Sequence, residues 1–388
     1  MGERIARRLT VLQVLPALQG GGVERSTLEV AAALVRHGHR SLVMSSGGRL
    51  VPGLLAAGSE HFRWSIDNKS LLALRHVPRL RRLLQREGVD ILHARSRLPA
   101  WLAWLAWRGM DPAGRPRFIT TMHGLNSVNA YSRVMLRGEH VIAVSGAARD
   151  YLLQHYPGTD PARISVIPRG VDPAAFPPGY RPQPGWLADW YRQYAGLQDR
   201  YVVTLPGRIS RRKGIDDFLE VIAGLAARGV PVHGLVVGEL PPGRRGAAAA
   251  LRARIAAAGL DGLITLTGFR ADMRDILAVS GVVVSLSRKP EAFGRTVNEA
   301  LSLRVPVAGY AHGGVGEQLR QHFPAGAVPP ADVAAMIGRL QAWYTAPPSM
   351  QGVRVHTLQA MLERTLALYH ALQGRCDAGG SQNENAGA

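Results

Sequence analysis

The chain has 388 residues, 46% of them hydrophobic, and its 47 Lys and Arg against 28 Asp and Glu give a net charge of +19. That length suits two cores better than one, and the single Cys376 excludes an internal disulfide or a thiolate metal cluster. The most apolar helical stretch, PAWLAWLAW at 99–107, is far below membrane-spanning length.

All the basic residues are arginine except Lys69, Lys213 and Lys289, so a general arginine bias accounts for much of the charge. No helix-turn-helix, zinc-finger or aromatic RNA-binding motif accompanies it, which argues against nucleic acid as a partner. The arginine clusters at 75–86 and 95–108 instead suit peripheral contact with an anionic membrane surface.

The N-terminal MGERIARRLTVLQVL sets basic residues before an apolar run. That run is short, and Gly20-Gly21-Gly22 follows it in place of a cleavage site, so it reads as a first strand and not as a signal peptide. A cytoplasmic protein is the expectation. Strand patterns at 10–15, 40–45, 90–94, 117–121, 140–144 and 164–167 alternate with helical ones such as 23–38 and 144–156. Near-continuous apolar strands separated by helices predict a parallel sheet covered on both faces.

Residues 171–200 break the pattern with Pro173, Pro177, Pro178, Pro182 and Pro184, and read as a linker with a short docking segment. The alternation then restarts. Strands are predicted over 201–205, 232–237, 263–266, 281–286 and near 306–310, and helices over 215–228, near 246–258 and over 295–303. This is a second open parallel sheet. Domains of 1–172 and 201–350 follow, joined by 173–200, with ligands expected at the carboxyl ends of the strands. Residues 354–373 read as an amphipathic helix packing back on the first domain, and the polar 374–388 as a disordered tail.

Residues 288–317 carry the most chemistry. Glu291 and Glu299 stand eight residues apart around Phe293-Gly294, where the helix GRTVNEALSL begins. Helix starts present unpaired N–H groups and partial positive charge, which suit a phosphate or a developing anion. A second start is read at His312-Gly313-Gly314. The loop Gly207-Arg208-Ile209-Ser210-Arg211-Arg212-Lys213-Gly214 follows a strand with four cations and forms a diphosphate clamp, Arg212 and Arg211 reading equally as solvated charge. Gly20-Gly21-Gly22 opens the first helix and permits close backbone approach, without a dinucleotide fingerprint. Thr121-Met122-His123-Gly124 and Val236-Val237-Gly238-Glu239 end strands, Gly268-Phe269-Arg270 follows another, and Ser145 reads as a helix N-cap.

Glu-(seven residues)-Glu with Phe-Gly between, then Gly-Gly and Glu317, resembles the donor-site signature of the family-four retaining glycosyltransferases, glycosyl transferases group 1. The resemblance runs from about residue 10 to 345 and is nearest to bacterial lipopolysaccharide-core enzymes. It implies an α/β chain of GT-B fold, two Rossmann-like doubly wound domains facing a central cleft, the first binding acceptor and the second donor. It implies a retaining hexosyl transfer from a nucleotide diphosphate sugar, a UDP-sugar being the expectation, to a glycan or glycolipid. Arg208, Lys213, His123 and Glu291 are then catalytic. Lys213 and Arg208 hold the departing pyrophosphate, His123 approaches the sugar hydroxyls, Glu291 grips the sugar and Glu299 the ribose. Gly21, Gly22, Gly238, Phe269, Arg270, Phe293, Gly294, Arg295 and Thr296 complete the donor site. No cofactor or metal is expected, there being no Asp-x-Asp motif near the site. The alternatives are a same-fold epimerase or phosphorylase, and a basic nucleic-acid-binding protein. Trp101, Trp104 and Trp107 either touch the membrane interface or pack in a buried helix.

Overall fold

The computed structural model describes residues 7–67, 71–239 and 246–380. The chain divides into two compact units: Met1–Arg169 with Gln359–Ala388, and Gly170–Leu358.

Seven parallel strands form the sheet of the first unit: β1 (Thr10–Val14), β2 (Arg40–Ser45), β3 (Glu60–Arg63), β4 (Ile91–Ala94), β5 (Arg117–Met122), β6 (His140–Ala143) and β7 (Ile164–Val166), in the order β3-β2-β1-β4-β5-β6-β7. Val11 pairs with both Ser41 and Ile91, fixing the register at the centre. Central strands such as β4 are buried along their whole length, as a sheet covered on both faces requires. The edge strand β3 is only partly buried and carries His61 and Arg63 in place of an apolar run. That polarity hid it from a search for apolar strands.

The second unit has six parallel strands: β8 (Tyr201–Pro206), β9 (Val232–Val237), β10 (Ile264–Gly268), β11 (Val282–Ser285), β12 (Val307–Tyr310) and β13 (Ala327–Val328), in the order β10-β9-β8-β11-β12-β13. Helix Ile215–Ala227 shows why this unit holds together. Its Ile215, Phe218, Leu219, Ile222 and Leu225 recur at helical spacing and are buried in the main core. Each such side chain contributes about 1.5–3 kcal/mol relative to exposure.

Both sheets reverse strand order once, between β1 and β4 and between β8 and β11. In doubly wound sheets the carboxyl ends at that reversal are where ligands bind. Gly21 and Gly22 in the first unit and the loops carrying Lys213 and Glu291 in the second fall there.

Two segments differ from expectation. The proline-rich 171–200 is built into the second unit: Phe176 and Tyr180 pack on its core, and helix Pro184–Gln193 lays Trp186 and Trp190 on a cluster with Leu197 and Ile276. Prolines at 182 and 184 stop the helix from starting early and do not make the segment a free tether. The C-terminal helix runs from Leu358 to Gly380, so 374–380 continue it and are not an irregular tail. The helix carries on through these turns despite their three glycines, propagating from the packed turns before them. Residues 381–388 lie outside the described residues. Met361, Leu366 and Tyr369 of this helix are buried in the first unit.

Candidate active site

In the second unit β8 exits into Gly207–Gly214 and β11 into Ser287–Gly294, the two loops that flank the strand reversal. They meet in an ion pair. Lys213 Nζ donates to both carboxylate oxygens of Glu291, each at 2.8 Å, and the Ser287 hydroxyl donates to Glu291 Oε1. Burial by itself would raise the Glu291 pKa. The Lys213 ammonium, its hydrogen bonds, the Ser287 hydroxyl and the Arg212 charge outweigh that and hold it below the usual carboxylate range. Lys213, Ser287, Glu291, Gly294 and Thr296 line a common cavity of about 10 Å³.

Two glycines set this geometry. Gly214 has φ +76° and caps helix Ile215–Ala227, and a Cβ there would stand 1.9 Å from the Leu286 carbonyl oxygen. Gly294 has φ +89° and caps helix Arg295–Ser302, with no side chain bonded to the helix start. The left-handed region favours glycine at both. No side chain therefore caps the first turn of that helix, where the backbone dipole presents partial positive charge.

Beneath the loops lies a group that spacing did not reveal. Asp217 is fully buried, accepts from Arg288 Nε at 2.7 Å and from the Tyr310 hydroxyl at 2.6 Å. It thereby ties helix Ile215–Ala227, next to Lys213, to the loop that carries Glu291. Its signal was faint: an acidic pair, Asp216-Asp217, at a helix start reads as ordinary dipole chemistry.

The remaining donor-side candidates are spread along the carboxyl edge. Arg208 is exposed and forms no hydrogen bond or ion pair with the described residues. Gly238 follows β9 and packs on the Gly207 carbonyl. Phe293 is buried, 5.8 Å from the His356 ring. Glu299 is buried one turn into its helix and accepts from Arg295 Nε at 2.9 Å. Phe269 and Arg270 follow the edge strand β10, away from the Lys213–Glu291 pair in strand order. Phe269 is 45% exposed, and Arg270 makes a two-point contact with Asp272 and lies over Trp190.

The second helix start, at His312–Gly314, is tied to the carboxylate loop. Gly314 N–H donates to the Glu291 carbonyl at 2.8 Å and His312 Nε2 to the Ser287 carbonyl at 2.7 Å. This turn supports the carboxylate loop from below.

In the first unit the exits of β1, β4 and β5 surround a cavity of about 320 Å³, lined by Glu24, Arg95, Arg97, Thr121, His123 and their neighbours. Gly21 caps helix Gly22–Arg36 beside it without a side-chain bond. Arg169 Nη2 donates to His123 Nδ1 at 2.8 Å. The same Nη2 stands 3.3 Å from His123 Nε2, so the arginine faces both ring nitrogens. Burial, then the charges of Arg169 and Arg95, hold the His123 pKa well below its ordinary value. His93 lies behind, with Nε2 2.6 Å from Thr121 Oγ1 and Nδ1 2.7 Å from the Tyr369 hydroxyl. Arg95 and Arg169 were missed as site residues. Arg95 is 2% exposed and so does not belong to the surface cluster proposed for a membrane. Helix Arg97–Arg108 buries Leu102, Ala106 and Trp107, and Trp101 Nε1 donates to the Tyr131 carbonyl. Ser145 Oγ accepts from Ala148 N–H, the N-cap read from the sequence. Among the described residues, no group of three or more His, Cys, Asp or Glu side chains gathers as a metal site.

Two doubly wound parallel sheets in tandem are the two domains of a GT-B fold. Residues 20–175 match the Glycosyltransferase Family 4 model and residues 190–354 the Glycosyl transferases group 1 model. A solved glycosyltransferase from Rickettsia africae superposes with TM-score 0.81 at 28% identity, over 94% of this chain and 98% of that one. An Anabaena protein solved with UDP and glucose shares the fold, with TM-score 0.79 at 19% identity over 94% of this chain and 100% of that one. A D-inositol 3-phosphate glycosyltransferase from Rhodococcus opacus is 30% identical over 255 residues, 60% of this chain and 54% of that protein. Matches to the first curated relatives span 35%, 62% and 54% of their lengths, less than two thirds in each case. The chain belongs to the group 1 glycosyltransferases, with a family-four N-terminal half.

Proposed function

We propose that this protein transfers a sugar, with retention of anomeric configuration, from a nucleotide diphosphate sugar to a glycan or glycolipid acceptor. The observation that carries the reading is the Lys213–Glu291 pair at the strand reversal of the second unit. Exposed Arg208 on one side and the uncapped helix start at Gly294–Thr296 on the other flank it.

Sugar transfer separates an oxocarbenium-like carbon from a departing diphosphate. Preorganised cations and amides aimed at the leaving group are usually the largest catalytic contribution. Arg208, Lys213 and the amides at Arg295 and Thr296 supply them, so charge neutralisation rests on the chain itself and not on a metal. The pair has to re-partner for this: the donor draws Lys213 toward phosphate and leaves Glu291 to accept from the sugar hydroxyls. Glu299 serves the ribose. The acceptor hydroxyl attacks C1 on the face from which the phosphate leaves. The C1–O bond to phosphate breaks, the new glycosidic bond forms, and the leaving phosphate takes the acceptor proton. The first unit holds the acceptor, with His123 as a neutral hydrogen-bonding group on the cavity wall.

UDP is the proposed nucleotide, supported by the Anabaena relative of the same fold. A surface glycan such as lipopolysaccharide core is the proposed product. Exposed Leu72 and Leu74 beside exposed Arg75, Arg79 and Arg82 support peripheral contact with an anionic membrane at the cytoplasmic face. No helix among the described residues is long and apolar enough to cross one.

The test is a panel of UDP-, GDP- and ADP-sugars incubated with and without glycan acceptor, with nucleotide release and sugar fate followed by chromatography. Nucleoside diphosphate release accelerated by acceptor is the expected result. An epimerised free sugar nucleotide, or no turnover of any donor, overturns the reading.

A further inference from the structure

We propose that the crevice of the first unit binds an oxyanion, a phosphate monoester or carboxylate carried by the acceptor, and that Arg95 and Arg97 are its ligands. Calling the ligand an acceptor rests on the transferase reading; the anion site itself rests on the side chains.

Arg95 is the unusual group. It follows β4 at the floor of the 320 Å³ cavity and is 2% exposed. Its hydrogen-bond acceptors are neutral: Gln13 Oε1 and, at 2.7 Å from Nη2, Ser26 Oγ. Its buried Nε has no partner. Burial lowers its pKa to about 10, with Tyr369 and Glu29 acting the other way, so the guanidinium stays charged at neutral pH. Arg97 stands on the same wall, its Nη1 3.2 Å from Ser132 Oγ and its guanidinium 5.5 Å from the Tyr131 ring. Neither arginine forms an ion pair with the described residues.

A buried cation without a carboxylate in contact is expensive to keep, and an incoming anion recovers what its desolvation forfeits. The planar fork of arginine matches a phosphate or carboxylate edge. The backbone adds to the field. Helices Gly22–Arg36 and Arg97–Arg108 both begin at this cavity, and neither Gly21 nor Ser96 caps its helix through a side chain. Ser96 is a residue type that ordinarily caps, as Ser145 does here. Its abstention leaves the first amides of the helix open beside Arg95 and Arg97. Glu24 is the carboxylate on the cavity wall, and it sets the side on which the anion does not sit.

The probes are inorganic phosphate and acetate, titrated by calorimetry at constant ionic strength into the full chain carrying Arg208→Ala and Lys213→Ala, which removes the two cations assigned to the donor phosphates. One-to-one saturation by phosphate, by acetate or by both supports the site, and the tighter probe identifies the anion class. Arg97→Gln, and separately Arg95→Lys, should then weaken binding about tenfold or more, the loss expected for a charge-assisted hydrogen bond. Arg95→Lys keeps the charge but loses the fork. Arg97→Gln lies on the wall and carries the test should the buried variant not fold. The proposal is overturned by failure of both probes to saturate up to about 50 mM, where a millimolar site is filled, and equally by unchanged affinity in the folded variants. Acceptor-free donor hydrolysis by the unmodified chain separates the two readings. Hydrolysis without anion binding sinks this inference alone; anion binding without any donor turnover sinks the transferase reading and leaves the anion site standing.

Discussion

Replacing Lys213 by alanine should strand the Glu291 carboxylate. The ammonium supplies both 2.8 Å bonds to it, and the Ser287 hydroxyl is the partner that remains. Removing one member of a buried pair typically costs 3–5 kcal/mol; because the Lys213 and Glu291 side chains are 32% and 17% exposed, solvent screening reduces the expectation to about 2 kcal/mol. The sign follows from linkage. The pair holds the folded Glu291 pKa below its reference value of 4.5. Its stabilisation is therefore present above that value and lost as pH falls through the folded pKa. In Lys213→Ala burial dominates, the Glu291 pKa rises, and the carboxylate destabilises the fold at neutral pH until acid neutralises it. The deficit should shrink below about pH 5. Urea unfolding of the parent, Lys213→Ala, Glu291→Gln and the double variant, at pH 7 and pH 4.5, forms the assay. Coupling of about 1–2 kcal/mol at pH 7 is expected, falling at the lower pH. Additive costs at pH 7, or a deficit indifferent to pH, would show that the pair is incidental. In turnover, Lys213→Ala should lower kcat more than donor affinity, since the lysine acts on the leaving phosphate; equal losses would reduce it to a binding group.

Two further outcomes follow from the buried polar groups. Asp217→Asn leaves Arg288 without its counter-charge and should destabilise the second unit while weakening donor affinity; because Asp217 does not line the cavity, unchanged affinity in a folded variant would deny it a positioning role. His123 should stay neutral throughout the working range, so no step in activity between pH 6 and 8 should trace to it. Its depressed folded pKa means that the unfolded chain binds more protons below about pH 6.5, and stability conferred by burial of the neutral ring is lost as pH falls below that value. NMR titration of the ring that showed an ordinary midpoint would refute this.

The fold and the site were legible to different depths for physical reasons. Parallel strands buried on both faces write continuous apolar runs into the sequence, so β1, β2, β9 and β12 were found nearly to the residue. Edge strands bury less and write less: β3 holds charged residues, and β13 is two residues long. Lys213 and Glu291 were read from loops whose glycines and charges stand out. What the sequence does not encode locally is who neutralises whom. Asp217 meets Arg288 across 71 positions and Arg169 meets His123 across 46, distances at which no spacing rule operates. The arginine bias deepened the difficulty, because a chain with 47 basic residues hides its few interior cations among many solvated ones. Arg95 differs from Arg108 only by where the strand ends. Arg95 emerges directly from β4 at the strand reversal and is drawn inside, whereas Arg108 ends a helix and lies over the Trp104 ring at the surface. Position relative to the sheet, more than residue type, makes one arginine a site residue and leaves the other as solvated charge.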